Sequence, residues 1–152
     1  MAAVIASQNI ARIQISTGIL TAAQINGMDR AHNPILLLPA PGPNLTYIVH
    51  AFYISSTRTV PFTVAMPTNF WVAIGSQDTY DDVIVTVPQV EFLTQIGAGG
   101  GNAQLLTGDP GAYPYDFTVL VNNPLYLSCA NPINGGNGTC KYYLLYSTVS
   151  VL

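Results

Sequence analysis

The chain has 152 residues, of which 49% are apolar and 7% are charged, and its formal net charge is −3. A soluble domain ordinarily has roughly a quarter of its residues charged. The four basic residues are scattered singly, which argues against binding to nucleic acid or to an anionic membrane surface, because both need clustered Lys and Arg.

No segment has the composition of a membrane-spanning helix, which needs ~20 predominantly apolar residues. The longest run of large aliphatic residues, 35–38, lies between Pro34 and Pro39. The first six residues contain no basic residue and form too short an apolar stretch for an export signal. We therefore expect no membrane insertion. Since charge normally keeps a protein surface soluble, we expect much of this surface to be covered by other subunits.

The first residues are predicted to form an extended arm on a single domain that spans residues 1–152. Val4, Ile5 and Ile10 follow no clear period, and we expect them to pack against a neighbouring subunit within an arm of residues 1–12. A frayed terminus is the alternative, because chain ends are commonly disordered unless they are docked.

A short helix is predicted to begin at Thr21. The spacing of Thr21 and Gln24 is that of a capping box, in which each side chain accepts a hydrogen bond from a backbone N–H of the other residue. Ile25 and Met28 then share one side, and Gly27 limits the helix to about two turns. A strand over 35–38 follows, and three prolines make residues 39–43 a stiff connection.

The rest of the chain contains short segments rich in Val, Ile, Thr and Tyr, separated by prolines and glycines. This pattern predicts an all-β fold, a jelly roll or β-sandwich with one short N-terminal helix. The segment 45–55 has apolar residues at both alternating positions, with Tyr47, Val49 and Ala51 on one face and Phe52 and Ile54 on the other. We expect this strand to be covered on both faces. The other predicted strands are 70–74, 83–87, 117–121, 125–129 and 139–151.

Cys129 and Cys140 are the two cysteines. They flank the predicted loop 131–138, and a hairpin would place them within the short Cα separation that a disulfide requires. Synthesis in a bacterial cytosol would instead keep both thiols reduced. Both alternatives remain open at this point.

No constellation of residues indicates a reaction, a metal or a cofactor. The glycines of 97–101 lack the Gly-Lys-Ser/Thr ending of a phosphate loop, and we predict a surface loop. The acidic group Asp78, Asp81 and Asp82 lacks the spacing of a calcium loop and is interpreted as a solvated turn. Two histidines, His32 and His50, are too few for a recognisable zinc site. We therefore expect no enzyme activity.

Tyr113 and Tyr115 are interface candidates, because tyrosine combines a large apolar ring with a polar tip. A position in the core is the alternative. A carbohydrate-binding module would need exposed aromatic residues in a groove, and Trp71 lies in an apolar predicted strand, which argues mildly against that class.

Two stretches of the chain resemble a group of small virion proteins of tailed bacteriophages. The first is the predicted helix 21–25 followed by the sequence Pro-Ile-Leu-Leu-Leu-Pro-Ala-Pro-Gly over 34–42. The second is a predicted C-terminal hairpin made of 123–127, the glycine-rich turn 135–139 and the segment 141–146. Together these stretches cover about a third of the chain. The sequence departs from the group at Pro43-Asn44-Leu45.

The resemblance implies a jelly roll or similar sandwich attached to a capsid or tail. Its most specific form is a capsid cement or decoration protein, which would bridge major capsid subunits, associate with further copies of itself and reside in the virion after assembly in the bacterial cytoplasm. The alternatives are a tail or baseplate structural protein and a carbohydrate-binding jelly-roll module.

Overall fold

The computed structural model describes residues 12–28, 33–57, 60, 62–64, 69–74, 83–88, 103–107, 121–129 and 133–151. Over these residues the chain is all-β, with antiparallel strands and one short helix. The elements in chain order are β1 Gln14–Thr21, α1 Ala22–Asn26, β2 Ile35–Leu38, β3 Leu45–Thr57, β4 Thr63–Val64, β5 Asn69–Ile74, β6 Val83–Pro88, β7 Ala103–Thr107, β8 Leu125–Cys129, β9 Ile133–Asn134 and β10 Thr139–Ser150.

The larger strands form two four-stranded sheets, with the orders β1-β10-β3-β7 and β2-β8-β5-β6. The short strands β4 and β9 form a separate two-stranded sheet. In the first sheet β10 lies between β1 and β3, so that Tyr143 is opposite Thr17 on one side and opposite Tyr53 on the other. The pairing register of the long central strands β3 and β10 therefore determines which side chains share each face of this sheet.

Helix α1 begins as the sequence predicts. The Thr21 side chain accepts a hydrogen bond from the Gln24 backbone N–H at 3.3 Å, and the Gln24 side chain accepts one from the Thr21 N–H at 2.9 Å. Ile25 and Met28 are fully buried. The predicted capping box is confirmed, as is the strand Ile35–Leu38 that follows, and Ile25 and Met28, predicted to share one side, both belong to the hydrophobic cluster.

Strand β3 contains a β-bulge at His50. Ala51 is opposite Leu145 and Val49 is opposite Tyr146, so His50 has no opposite residue in β10. A bulge inserts one extra residue into a strand and so changes which residues point to each face. Tyr47 and Val49 face the core before the bulge. After it, the core-facing residues are Phe52 and Ile54.

This bulge corrects the predicted alternation of β3. Uninterrupted alternation had placed Tyr47 and Val49 on the face opposite that of Phe52 and Ile54, whereas all four belong to one hydrophobic cluster. The period of two holds only within each half of the strand. The existence of the strand, predicted over 45–55, is confirmed, and the structure extends it to Thr57.

Both four-stranded sheets contribute to the same hydrophobic core. Its cluster of buried residues includes Leu125 and Leu127 of β8, together with Phe52 of β3 and Leu144 of β10. Burial of apolar surface is the main favourable term in folding, at roughly 25 cal/mol per Å². The contact between the two sheets therefore stabilises the described part of the fold.

The predicted C-terminal hairpin is wrong. Strand β8 pairs with β2 and β5, whereas β10 pairs with β1 and β3, so the two strands belong to different sheets. The segment between them, predicted as a loop over 131–138, contains the short strand Ile133–Asn134, which pairs with β4. Of the predicted strand 117–121, Val121 lies in a turn and residues 117–120 lie outside the described residues.

Leu36 and Leu37 are neighbours in β2 that differ in burial, and they allow a test of which side of this strand faces the core. Leu37 is 6% exposed and Leu36 is 51% exposed. We expect Leu37→Ala to lower the free energy of unfolding by about 2–5 kcal/mol, and the control Leu36→Ala to change it by no more than about 0.5 kcal/mol. Urea denaturation followed by circular dichroism measures both values. Equal losses of unfolding free energy in the two variants would contradict the placement of Leu37 in the core and of Leu36 on the surface.

Tyr47 links β3 to the proline-rich turn, because its hydroxyl donates a hydrogen bond to the Pro39 carbonyl at 2.5 Å. Burial, and secondarily the nearby Tyr146, raise the pKa of Tyr47 above its ordinary value. The unfolded chain therefore loses this proton at lower pH than the folded chain. The contribution of Tyr47 to the free energy of unfolding is therefore constant below about pH 10 and falls as the pH rises above that value.

We expect Tyr47→Phe to make the alkaline loss of stability shallower, since it removes the group that ionises preferentially in the unfolded chain. Urea midpoints measured between pH 8 and pH 11 would show the change in slope. Tyr53→Phe is the control for a tyrosine on the other face of the same strand. An unchanged slope for Tyr47→Phe would contradict the expectation, whatever its stability at neutral pH.

Candidate functional site

The face of the β1-β10-β3 sheet that lies opposite the core is the candidate site, and we call it the outer face. It is built from alternate residues of three paired strands. The neighbours of these residues along each strand, such as Leu144 and Phe52, point into the core. The outer face comprises Ile15, Thr17 and Ile19 of β1, Lys141, Tyr143 and Leu145 of β10, and Tyr53, Ser55 and the buried Ala51 of β3.

Large apolar side chains are exposed along β1. Ile15 is 64% exposed and Ile19 is 63% exposed, and Ile13, which immediately precedes the strand, is 57% exposed. Single exposed apolar residues are ordinary, but a contiguous group of them marks an interaction surface or an aggregation hazard. Because Ile15 is directly opposite the half-buried Leu145, the apolar area continues from the edge strand onto the middle of the sheet.

Two aromatic rings lie beside this aliphatic area. The rings of Tyr53 and Tyr143 are in edge contact, with centroids 5.8 Å apart. The Lys141 ammonium lies 5.0 Å from the centroid of the Tyr143 ring, a distance at which a cation is attracted to the aromatic face. Among the described residues of the outer face, Lys141 carries the one charge. The surface is thus apolar and aromatic, with hydroxyl groups and a single cation.

Gly18 of β1 leaves room for the side chain of Tyr142, the residue opposite it in β10. A Cβ at this position would lie 2.6 Å from a carbon of the Tyr142 ring, far inside van der Waals contact. The small residue lets the ring of Tyr142 occupy the core side of the sheet. The neighbouring Thr17 and Ile19 are consequently held on the outer face.

The bulge at His50 brings its ring to Ser147, with His50 Nε2 and Ser147 Oγ 2.8 Å apart. This is a contact between a potential base and a potential nucleophile. Ser147, however, is only 2% exposed, and a nucleophile must be reached by its substrate. We interpret the hydrogen bond as support for the bulge.

The residues predicted to form interfaces cannot be placed on this surface. Val4, Ile5, Ile10, Tyr113 and Tyr115 lie outside the described residues, as do the acidic group at 78–82, the glycines of 97–101 and His32. These assignments stay predictions. Within the described ranges there is no group of three or more His, Cys, Asp and Glu side chains that could hold a metal ion. The described segments likewise include no helix long and apolar enough to cross a membrane.

Cys129 and Cys140 are both buried thiols. Cys129 Sγ donates a hydrogen bond to the Met28 carbonyl at 3.2 Å. The two cysteines lie on strands of different sheets, Cys129 on β8 and Cys140 on β10. The hairpin that was expected to bring them together is therefore not formed, and both cysteines belong to the core cluster that the two sheets share.

Comparisons with known proteins leave the chain without an assigned relative. No family model matches it, no curated protein matches it and no solved structure matches it.

The sequence-based predictions do not include β1 or its exposed isoleucines, although the sequence contains the alternating pattern of a strand there. Ile13, Ile15, Thr17 and Ile19 occupy every second position, which is the period of a strand. The capping box at Thr21 predicts only the helix that follows it. Since the end of β1 is also the N-cap of α1, one residue belongs to both elements.

The burial of both cysteines predicts slow reaction with a thiol reagent. We expect neither Cys129 nor Cys140 to react with Ellman's reagent in the native protein, because both are 0% exposed, and both to react at once in denaturant without reductant. Absorbance of the released chromophore counts the thiols. Intact mass under non-reducing conditions is the control, and absence of thiols in denaturant would instead establish a disulfide.

Proposed function

We propose that this chain is a non-enzymatic structural protein of a bacteriophage virion, a capsid cement or decoration protein that stabilises the shell by bridging major capsid subunits. Its partners would be the major capsid protein and further copies of itself. It would be assembled in the cytoplasm of the bacterial host and remain in the virion. The proposal joins the sequence resemblance to the character of the outer face.

We further propose a jelly-roll or β-sandwich architecture. The support is that two antiparallel four-stranded sheets share one hydrophobic cluster. In a sandwich the side chains of the two inner faces form the core. The outer face of one sheet is then available to a partner, which is the arrangement that a bridging protein needs.

The exposed apolar outer face is the observation on which the functional proposal depends. Ile15 and Ile19 are each more than half exposed, and Tyr53 and Tyr143 lie next to them in the sheet. Burial of such side chains against a partner contributes roughly 25 cal/mol per Å² of apolar area. Association also has a large entropic cost, so each contact is weak by itself.

Weak contacts suffice for a cement protein because a shell repeats them many times. Any molecule that binds the assembled state and not the disassembled state shifts the equilibrium towards assembly by mass action. A chain with 7% charged residues can be packed at high density with little repulsion between copies. The scarcity of charge and the apolar outer face thus support the same role.

Electron microscopy of purified particles tests the proposed location. We expect copies at the seams between major capsid subunits over the whole shell. Copies confined to one vertex would instead favour a tail or baseplate protein, and no density on the particle would contradict a virion role. Particles lacking the protein should lose resistance to heat or osmotic shock, and unchanged resistance would contradict cementing.

A binding assay tests the role of the outer face. Particles lacking the protein would be incubated with the wild-type chain, with Tyr143→Ser or with the control Val60→Ser, whose side chain is 50% exposed and lies outside the sheet. We expect Tyr143→Ser to bind about tenfold more weakly, which corresponds to ~1.4 kcal/mol, and the control to bind like the wild type. Circular dichroism would verify that both variants fold.

A further inference from the structure

Over the described residues, the edge of β1 that faces away from β10 has no charge, proline or bulge to protect it from pairing. Among the described strands, β1 has a neighbour on one side only, namely β10. Its eight residues pair with β10 in an uninterrupted register, without a bulge. Edge strands are normally made unsuitable for pairing by a charge, a proline, a bulge or short length. The segment 13–28 contains no charged residue and no proline.

The sequence of β1 is also complementary to itself. If a second copy pairs antiparallel with β1 and Thr17 lies opposite Thr17, then Ile15 lies opposite Ile19 of the second copy, and Ile19 opposite Ile15. Directly opposed residues of an antiparallel pair lie on the same face, and β-branched pairs stabilise such contacts. The two most exposed isoleucines of β1 would therefore each be covered by an isoleucine of the other copy.

We propose that β1 is a self-association edge, through which two copies of this chain pair antiparallel about a two-fold axis at Thr17. The β1-β10-β3-β7 sheet of one copy then continues into the same sheet of the second copy, and the two form one continuous sheet across the dimer. The contact is isologous, since each copy contributes the same strand. Backbone N–H and C=O groups on the open side of β1 supply the hydrogen bonds, and the isoleucine pairs supply the buried apolar area.

The distribution of charge favours a second copy as the occupant of this edge. Along the chain, the charged residue nearest to β1 is Arg12, which would lie opposite Ala22 of the second copy. The two Arg12 residues would be ten residues apart along the strands, about 33 Å at the usual rise per residue, and thus well beyond the ~8 Å screening length at physiological ionic strength. Lys141, on the adjacent strand, is separated from its counterpart by both copies of β1. Among the described residues, the pairing therefore brings no like charges together.

The inference deepens the proposed function, because it names the surface through which copies associate, but it uses no part of the capsid argument. Paired edges would leave the half-buried Tyr53 and Tyr143 accessible to a capsid partner, and both outer faces would lie on the same side of the dimer. Self-association in solution and binding to particles are measured separately, so either proposal can fail while the other holds.

Sedimentation velocity over a concentration series tests the edge. We expect the wild type to dimerise reversibly. Ile15→Lys combined with Ile19→Lys places lysine opposite lysine twice, and we expect its dissociation constant to rise at least about tenfold. The control Val60→Lys adds a charge at another exposed position and should dimerise like the wild type. A wild type that stays monomeric throughout, or a double-lysine variant that dimerises unchanged, would overturn the proposal.

A charge-swapped variant tests the register. In Ile15→Lys combined with Ile19→Glu, each lysine lies opposite a glutamate of the other copy, so we expect dimerisation to within about threefold of the wild type. This variant carries as many new charges as the double-lysine variant, and it therefore controls for a simple loss of apolar area or of folding. Failure of the swapped charges to restore the dimer would reject the proposed pairing at Thr17.

Discussion

The pairing of β10 with β3 is the constraint on which the rest of the described structure depends. These two long strands occupy the middle of one sheet, and each residue of β10 from Thr139 to Ser150 has a partner in β3. Their inner sides supply Phe52 and Leu144 to the core, and their outer sides supply Tyr53 and Tyr143 to the outer face. The same hydrogen-bond register thus fixes the core and the candidate interaction surface together.

The bulge at His50 allows β3 to present apolar side chains to the core along its whole length. Without the extra residue, the apolar side chains on the two halves of β3 would point to opposite faces of the sheet. With it, Tyr47 and Ile54 both belong to the core. The hydrogen bond between His50 and the buried Ser147 satisfies a polar group at this irregular point, where an unpaired buried hydroxyl would be costly.

Scarcity of charge has a specific structural meaning in this chain. Arg12 and Lys141 are the two charged side chains among the described residues, and both are exposed. The described residues of the core and, apart from Lys141, of the outer face are consequently neutral. A neutral surface that exposes isoleucine and tyrosine is suited to contacts with other proteins, and the same property makes an unprotected edge strand prone to pairing.

The amino-acid sequence on its own determined those helices and strands that depend on interactions between residues close together in the chain. The capping box fixed the start of α1, alternating and aliphatic segments fixed β2, β3, β8 and β10, and the composition indicated an all-β chain. Tertiary structure alone decided which strands pair. Cys129 and Cys140 are eleven positions apart, yet their strands belong to different sheets. The bulge at His50 and the exposure of Ile15 and Ile19 were likewise decided by strand neighbours distant in sequence, because register and burial depend on contacts that no local pattern encodes.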